Sequence, residues 1–213
     1  MKYSELAHVT AALLVLTVIT GLSSVINGNP GYLSTALLFS LIILITNIGA
    51  KKLMANSLDA GVQHRIWSFR RYGFKPHWKF KNPIPTGVIF PLFFSAFSLG
   101  AFKLMTLLTY EVTALKRRAA KRFGPYSHTE ITEWHNSLIG AAGIVALFIL
   151  AIFTYSLPYQ GVEILSKWAI YYAFFNMLPL WNFDGTQIFF GSRILYSILA
   201  AITIFLTLFA FVI

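Results

Sequence analysis

The sequence predicts an all-α integral membrane protein, a bundle of five or six transmembrane helices with a short strand-like or interfacial insert. Two features of the composition lead to this prediction. Hydrophobic residues make up 57% of the 213 residues and charged residues only 11%, whereas a soluble domain has about 25% charged residues. So few charged side chains cannot cover the surface of a soluble globule. The apolar residues are also gathered into long segments, which a membrane environment explains.

Six apolar segments approach the length of about 20 residues that a spanning helix needs. They are residues 8–27, 31–50, 87–109, 136–157, 161–181 and 190–213. The turn GNPG separates the first two, because its glycine and proline residues favour a tight connection. We expect all six segments to belong to a single membrane domain that covers residues 1–213.

The positive charge is concentrated in two loops. The formal net charge is +10, and eight of the 17 lysine and arginine residues lie in 51–81, with six more in 103–122. Basic loops beside apolar segments are typical of the cytoplasmic face and of anionic lipid headgroups. We therefore expect the loops 51–86 and 110–135 and the N-terminus to be cytoplasmic, and membrane lipids to be partners. No nucleic-acid-binding module accompanies the charge, so we expect no nucleic-acid partner.

The number of crossings depends on segment 87–109. If all six segments cross, the two basic loops fall on opposite faces, against the positive-inside pattern. If 87–109 is re-entrant, five segments cross and both loops share one face. Pro91 and Lys103 weaken this segment as a simple span, and both alternatives stay open. In loop 51–86, the alternation in HRIWSFRRY and HWKFK is typical of short strands or of an interfacial segment.

The stretch NMLPLWNFDG, which ends at Gly185, places a carboxylate beside apolar sequence. An acidic side chain at membrane depth is costly, and it usually binds something. Pro179 cannot continue helical hydrogen bonding, so we expect the helix to open there, with Asn176 and Asn182 donating to the freed carbonyls. Gly185 permits a tight turn after Asp184. The alternative is that Asp184 only caps the helix that follows.

This stretch resembles the asparagine-proline-aspartate-glycine motif of the site-2 protease family of intramembrane zinc metalloproteases. The matching positions are Asn176, Pro179, Asp184 and Gly185. The resemblance implies that Asp184 stands at the position of the third zinc ligand, on a helix two membrane segments after the one that carries H-E-x-x-H. The preceding segment, ITEWHNSLIGAAGIVALFILAIF, is similar to the family helix that carries G-P-x-x-N, although GAAGIVA lacks that proline and asparagine.

The resemblance places the other half of the site at the end of the second apolar segment, in LLFSLIILITNIGAKKLMANSLDAG. In this alignment Thr46 and Asn47 replace the first histidine and the glutamate, and Ala50 replaces the second histidine. No H-E-x-x-H occurs in either direction anywhere in the sequence. Because catalytic zinc needs three protein ligands and a base for its water, we expect no catalytic residue, no bound metal and no cofactor. Asp184 is the only retained ligand position.

A metal site relocated to other histidines is an alternative, and thiolate ligands are excluded because the chain has no cysteine. We expect His64 and His77 to be solvated or interfacial side chains, and His8 to cap or enter the first helix. His128 and His135 stand seven residues apart, close to two helical turns, so they could share one face. No pattern brings any of these five to the acidic motif.

These features predict a catalytically inactive site-2-protease-like protein that binds or scaffolds another integral membrane protein without cleaving it. Without zinc, Asp184 would be protonated, accept a hydrogen bond from Asn47 or Thr46, or pair with a cation, and we favour the bond from Asn47. Two other functions stay open. One is an accessory subunit of a larger respiratory or transport complex in the membrane, and the other is an active intramembrane zinc metalloprotease.

Overall fold

The computed structural model describes residues 3–71, 79–115, 131–159 and 161–212, and most of them are helical. Seven helices lie in these ranges: α1 (Tyr3–Ile26), α2 (Tyr32–Ser57), α3 (Thr86–Phe97), α4 (Glu133–Tyr155), α5 (Val162–Met177), α6 (Asp184–Gly191) and α7 (Arg193–Val212). The same ranges contain four strands: β1 (Ala60–Ile66), β2 (Phe69–Arg71), β3 (Lys79–Ile84) and β4 (Leu108–Ala114). The predicted predominance of helices is confirmed.

Four of the described helices, α1, α2, α4 and α7, are long and apolar enough to cross a membrane. They correspond to the predicted segments 8–27, 31–50, 136–157 and 190–213. Helix α2 continues beyond its predicted end to Ser57, so the basic pair Lys51 and Lys52 lies inside the helix rather than in a loop. This extension matters for the site described below.

Segments 87–109 and 161–181 do not form continuous helices of membrane length. Helix α3 has 12 residues, or about 18 Å at 1.5 Å per residue, and the hydrocarbon core is about 30 Å thick. It ends where Leu99 and Gly100 adopt left-handed backbone conformations with φ of 52° and 81°. Helix α5 has 16 residues, because Pro179 ends it early.

The predicted strand-like insert in 51–86 is confirmed, since β1, β2 and β3 all lie there. Strands β2 and β3 pair antiparallel, with Phe69 opposite Ile84. Strand β1 pairs instead with β4, which the sequence analysis did not predict. Strand β4 begins in the predicted apolar segment 87–109 and ends in the predicted basic loop 110–135. Neither prediction included a strand at this boundary.

The chain forms two compact units. The first comprises residues 1–41 and 64–109, and the second comprises 42–63 and 110–213. In the first unit, α1 packs against α3. In the second, α4 packs against α5 and α6, and α5 packs against α7. Every residue of the candidate site belongs to the second unit.

Candidate functional site

Asp184 is carried by the first turn of α6, just after the chain break that Pro179 imposes. Helix α5 ends at Met177, and Leu178 adopts an extended conformation with φ −60° and ψ 131°, as expected of a residue that precedes proline. The predicted opening of the helix at Pro179 therefore occurs. Asp184 does not cap the following helix, because Phe183 stands at the N-cap and no side chain bonds there. The carboxylate is free to bind elsewhere.

The partner of Asp184 is Lys51. Lys51 Nζ donates to Asp184 Oδ2 over 2.6 Å, and the two side chains are 3% and 0% exposed. Burial raises the pKa of the Asp184 carboxyl, and the Lys51 ammonium opposes that shift. The sequence predicts Asn47 as the partner. The structure places a cation there instead, because the longer lysine side chain one turn further along α2 reaches the carboxylate.

The buried face at the end of α2 contains Asn47 and Lys51, both 2% exposed, while Thr46 and Ala50 are partly exposed. Asn47 and Lys51 stand four residues apart, so they lie on one side of the helix. This is the spacing of the two histidines in H-E-x-x-H. Asn47 and Lys51 therefore share the side of α2 from which Lys51 reaches Asp184.

Two glycines make the close packing of this site possible. A Cβ atom on Gly143 would lie 2.6 Å from Lys51 Cε. A Cβ atom on Gly185 would lie 2.0 Å from the carbonyl oxygen of Met177. The sequence analysis expected Gly185 to form a tight turn, but it lies inside α6. It is needed because the backbone of the preceding helix end approaches so closely.

Tyr110 forms another wall of the site. Lys51 Nζ lies 4.7 Å from the centre of the Tyr110 ring, a cation–π contact. Tyr110 Oη donates to the carbonyl of Asn136 over 2.8 Å, and Gln187 Nε2 donates to the Tyr110 carbonyl over 3.1 Å. Burial, and then the charge of Asp184, raise the pKa of the Tyr110 phenol well above its usual range. The phenol is therefore a neutral donor at physiological pH.

The asparagines of the motif act differently from expectation. Asn176 Nδ2 donates to the carbonyl of Tyr172 over 2.7 Å, within its own helix. Asn182 contributes its backbone carbonyl, which accepts from Gln187 Nε2 over 3.4 Å. Asn47 Nδ2, Asn176 Oδ1 and Asp184 Oδ1 are buried and have no hydrogen-bond partner among the described residues. The site thus contains more polar atoms than its own contacts satisfy.

The residues present do not fit a catalytic zinc ion. Such an ion needs three protein ligands, and no group of three histidine, cysteine, aspartate or glutamate side chains that could hold a metal occurs in the part of the chain that the structure describes. At Asp184 the neighbouring group is an ammonium, which is positively charged and repels a metal cation. We therefore derive no zinc-dependent step for this site.

One of the described histidines differs from its expected environment. His64, expected to be solvated or interfacial, is only 1% exposed, and its Nδ1 lies 3.4 Å from Glu5 Oε1 within the first unit. His135 contacts the hydroxyl of Thr132 at the start of α4. His77 and His128 lie outside the described residues.

Comparison with known proteins finds no matching family model, no matching curated protein and no matching solved structure.

An open cleft of about 330 Å³ also reaches Tyr110. Its lining includes Glu111, Val112, Glu133, Asn136, Asn182 and Gln187. The cleft is therefore bordered by β4, by the start of α4, and by Asn182 and Gln187, which lie on either side of Asp184 in the chain. A ligand in this cleft would lie against the same tyrosine that packs on Lys51.

Sequence analysis did not single out Lys51 or Tyr110. A signal for Lys51 was present, because Lys51 follows Asn47 by four residues at the end of an apolar helix. A carboxylate at membrane depth requires a cation or a proton, and Lys51 was the nearest cation to the degenerate motif. No comparable signal marked Tyr110, which reaches the site through a strand that was not predicted.

Proposed function

We propose that this chain is a catalytically inactive, site-2-protease-like membrane protein that binds or scaffolds another integral membrane protein without cleaving it. The observation that carries the proposal is the buried contact of 2.6 Å between Lys51 Nζ and Asp184 Oδ2. In the family that the motif resembles, the corresponding carboxylate is a zinc ligand. In this chain a lysine ammonium supplies the positive charge that the metal would have supplied.

The proposed loss of activity follows from the side chains at three positions. Peptide hydrolysis by a zinc enzyme needs a metal-bound water and a base that takes its proton. We propose that Asn47, Ile48 and Lys51 stand where the family has histidine, glutamate and histidine, because Asn47 and Lys51 are both buried and Lys51 reaches Asp184. None of these is a metal ligand of the required kind, and Ile48 cannot accept a proton. The chain would thus lack the residues for hydrolysis and could still bind a membrane partner.

The cleft at Tyr110 is where we propose that the partner binds. It is open, its lining mixes polar and apolar atoms, and it includes Glu111 and Glu133, both exposed residues. A membrane partner with a basic segment beside its transmembrane helix would complement these charges. The ion pair would then act as a fixed support beneath the cleft rather than as a reacting group.

Site-specific photo-crosslinking of the full chain in its native membrane tests this proposal. Single photoreactive residues at 111 and 133 should capture the same partner. Photoreactive residues at 198 and 205 on α7, where Ile198 and Phe205 are highly exposed, serve as matched controls and should capture lipid. The proposal is overturned if positions 111 and 133 capture no protein while the controls do.

The accessory-subunit alternative is favoured by the outer surface of α3. Phe93 and Phe97 on this short helix are 59% and 82% exposed, with their rings stacked at 6.1 Å between centroids. A photoreactive residue at 97 that captures a protein in fixed stoichiometry, with none captured at 111 or 133, would support this alternative instead.

The active-protease alternative is tested by cleavage. It requires that the full chain, supplied with zinc, cuts a synthetic transmembrane peptide and that Asp184→Ala or chelation abolishes the cutting. We expect no cleavage by the unaltered chain.

A further inference from the structure

A second feature of the molecule lies away from the ion pair, in a narrow groove of about 80 Å³ between α4, α5 and α7. Its walls include Ala151, Tyr155, Ile170, Leu206, Phe209 and Ala210. The hydroxyl of Ser166 also lines it, but Ser166 Oγ donates to the carbonyl of Ala151 over 2.8 Å. The interior of the groove is thus apolar, with its polar wall group already satisfied.

The groove opens at the end of the bundle where the chain turns between two helices. Helix α4 ends at Tyr155 and α5 begins at Val162, and Gly161 in the connection has φ of 92°. Tyr155 and Tyr159 are 45% and 67% exposed there. Exposed tyrosines at helix ends are typical of the headgroup level of a bilayer. We therefore place the mouth of the groove at that level.

The carbon stems of two residues with opposite charges also line the groove. Lys167 is the only lysine or arginine in residues 123–192, and Glu163 is the only acidic residue in 134–183. They stand four residues apart on α5, so they lie on the same side of the helix, and both line the groove. No ion pair joins them in the described structure. Each charge is therefore available to a ligand.

We propose that this groove binds one phospholipid with a primary-amine headgroup, such as a phosphatidylethanolamine of the surrounding bilayer. A short length of one acyl chain lies in the apolar groove, the Lys167 ammonium binds the phosphate, and the Glu163 carboxylate accepts from the lipid ammonium. The paired charges favour a zwitterionic lipid over an anionic one. A trimethylammonium headgroup has no N–H to donate, so it loses the charge-assisted hydrogen bond to Glu163.

Native mass spectrometry of the full chain, extracted from vesicles with equal amounts of ethanolamine, choline and glycerol phospholipids, tests the proposal. We expect one retained lipid per chain, enriched in the ethanolamine class. Glu163→Gln should lower the preference for ethanolamine over choline about threefold, the size of effect expected for one partly solvated charge contact. Lys167→Gln should lower retention of all three lipids, and Lys167→Arg should restore it.

Arg193→Gln is the matched control, because Arg193 lies at the opposite end of α7 from Phe209, about 24 Å away along the helix. It should leave lipid retention unchanged. Thermal melting of each variant in detergent identifies variants that fail to fold. Ala210→Leu fills the groove without changing any charge, and it should also lower lipid retention. The proposal is overturned if the retained lipid shows no headgroup preference, or if Arg193→Gln has the same effect as Lys167→Gln.

Discussion

Gly143 on α4 faces Lys51 on α2 so closely that a Cβ atom added to the glycine would lie 2.6 Å from Lys51 Cε. The same atom would lie 2.8 Å from Asn47 Nδ2. Because Lys51 Nζ is bound to Asp184, the lysine side chain cannot adopt another rotamer without breaking the ion pair. The absence of a side chain at position 143 is thus part of how the ion pair is built.

Gly143→Ala should therefore destabilise the protein by about 1–3 kcal/mol, the usual cost of overpacking a buried site. Gly49→Ala is the matched control, because a Cβ at Gly49 meets nothing within 4 Å, and this change should be neutral or slightly stabilising. Reversible unfolding in detergent measures both. Equal effects of the two substitutions would contradict the packing role of Gly143.

Lys51→Met should cost about 3–5 kcal/mol of unfolding free energy, because it leaves the Asp184 carboxylate buried without a cation. The double change Lys51→Met with Asp184→Leu should cost less than Lys51→Met alone, since both charges are then removed. Lys52→Met, at the neighbouring and less buried lysine, controls for the loss of a positive charge. A double variant as unstable as the sum of its single variants would show that the pair is not energetically coupled.

The register of α2 is tested by rebuilding a zinc site. The variant Asn47→His, Ile48→Glu, Lys51→His restores H-E-x-x-H on the side that faces Asp184, and we expect it to bind about one zinc ion per chain. The control variant Thr46→His, Asn47→Glu, Ala50→His restores the same motif one residue earlier and should bind none. Elemental analysis after gel filtration gives the stoichiometry. Zinc in the control variant alone would overturn the register of the structure, and zinc in neither folded variant would count against the family resemblance.

Tyr110 should make stability depend on pH at the alkaline end. Its pKa in the folded protein is raised above the unfolded value, so the folded state keeps its proton where the unfolded state loses it. The contribution of Tyr110 is fully present below the unfolded pKa of about 10 and is lost as pH rises above it. Tyr110→Phe should therefore give a shallower loss of stability above that pH than the unaltered chain, and an unchanged slope would refute the assignment.

Tyr110→Phe should also cost about 1 kcal/mol at neutral pH, because it removes the hydroxyl that donates to the Asn136 carbonyl. Tyr159→Phe, at an exposed tyrosine, provides the comparison at both pH values.

The parts of this fold that the sequence predicts are those set by local chemistry. Apolar segment length identified the four long helices, and Pro179 ended α5 because its ring and missing N–H act on its own neighbours. Asp184 stood out because acidic residues are so few. Which face of α2 is buried could not be predicted from the local sequence. Adjacent residues lie 100° apart on a helix, and tertiary packing decides which of them is buried. That is why Lys51 was missed while Asn47 was considered.

The separation of Lys51 and Asp184 along the chain has a consequence for biosynthesis. The two residues are 133 positions apart, and α2 is completed long before α6 is made. Until then Lys51 has no carboxylate to neutralise it, and an unpaired lysine favours the membrane surface over the apolar interior. The Lys51–Asp184 ion pair therefore forms only after α6 has been synthesised.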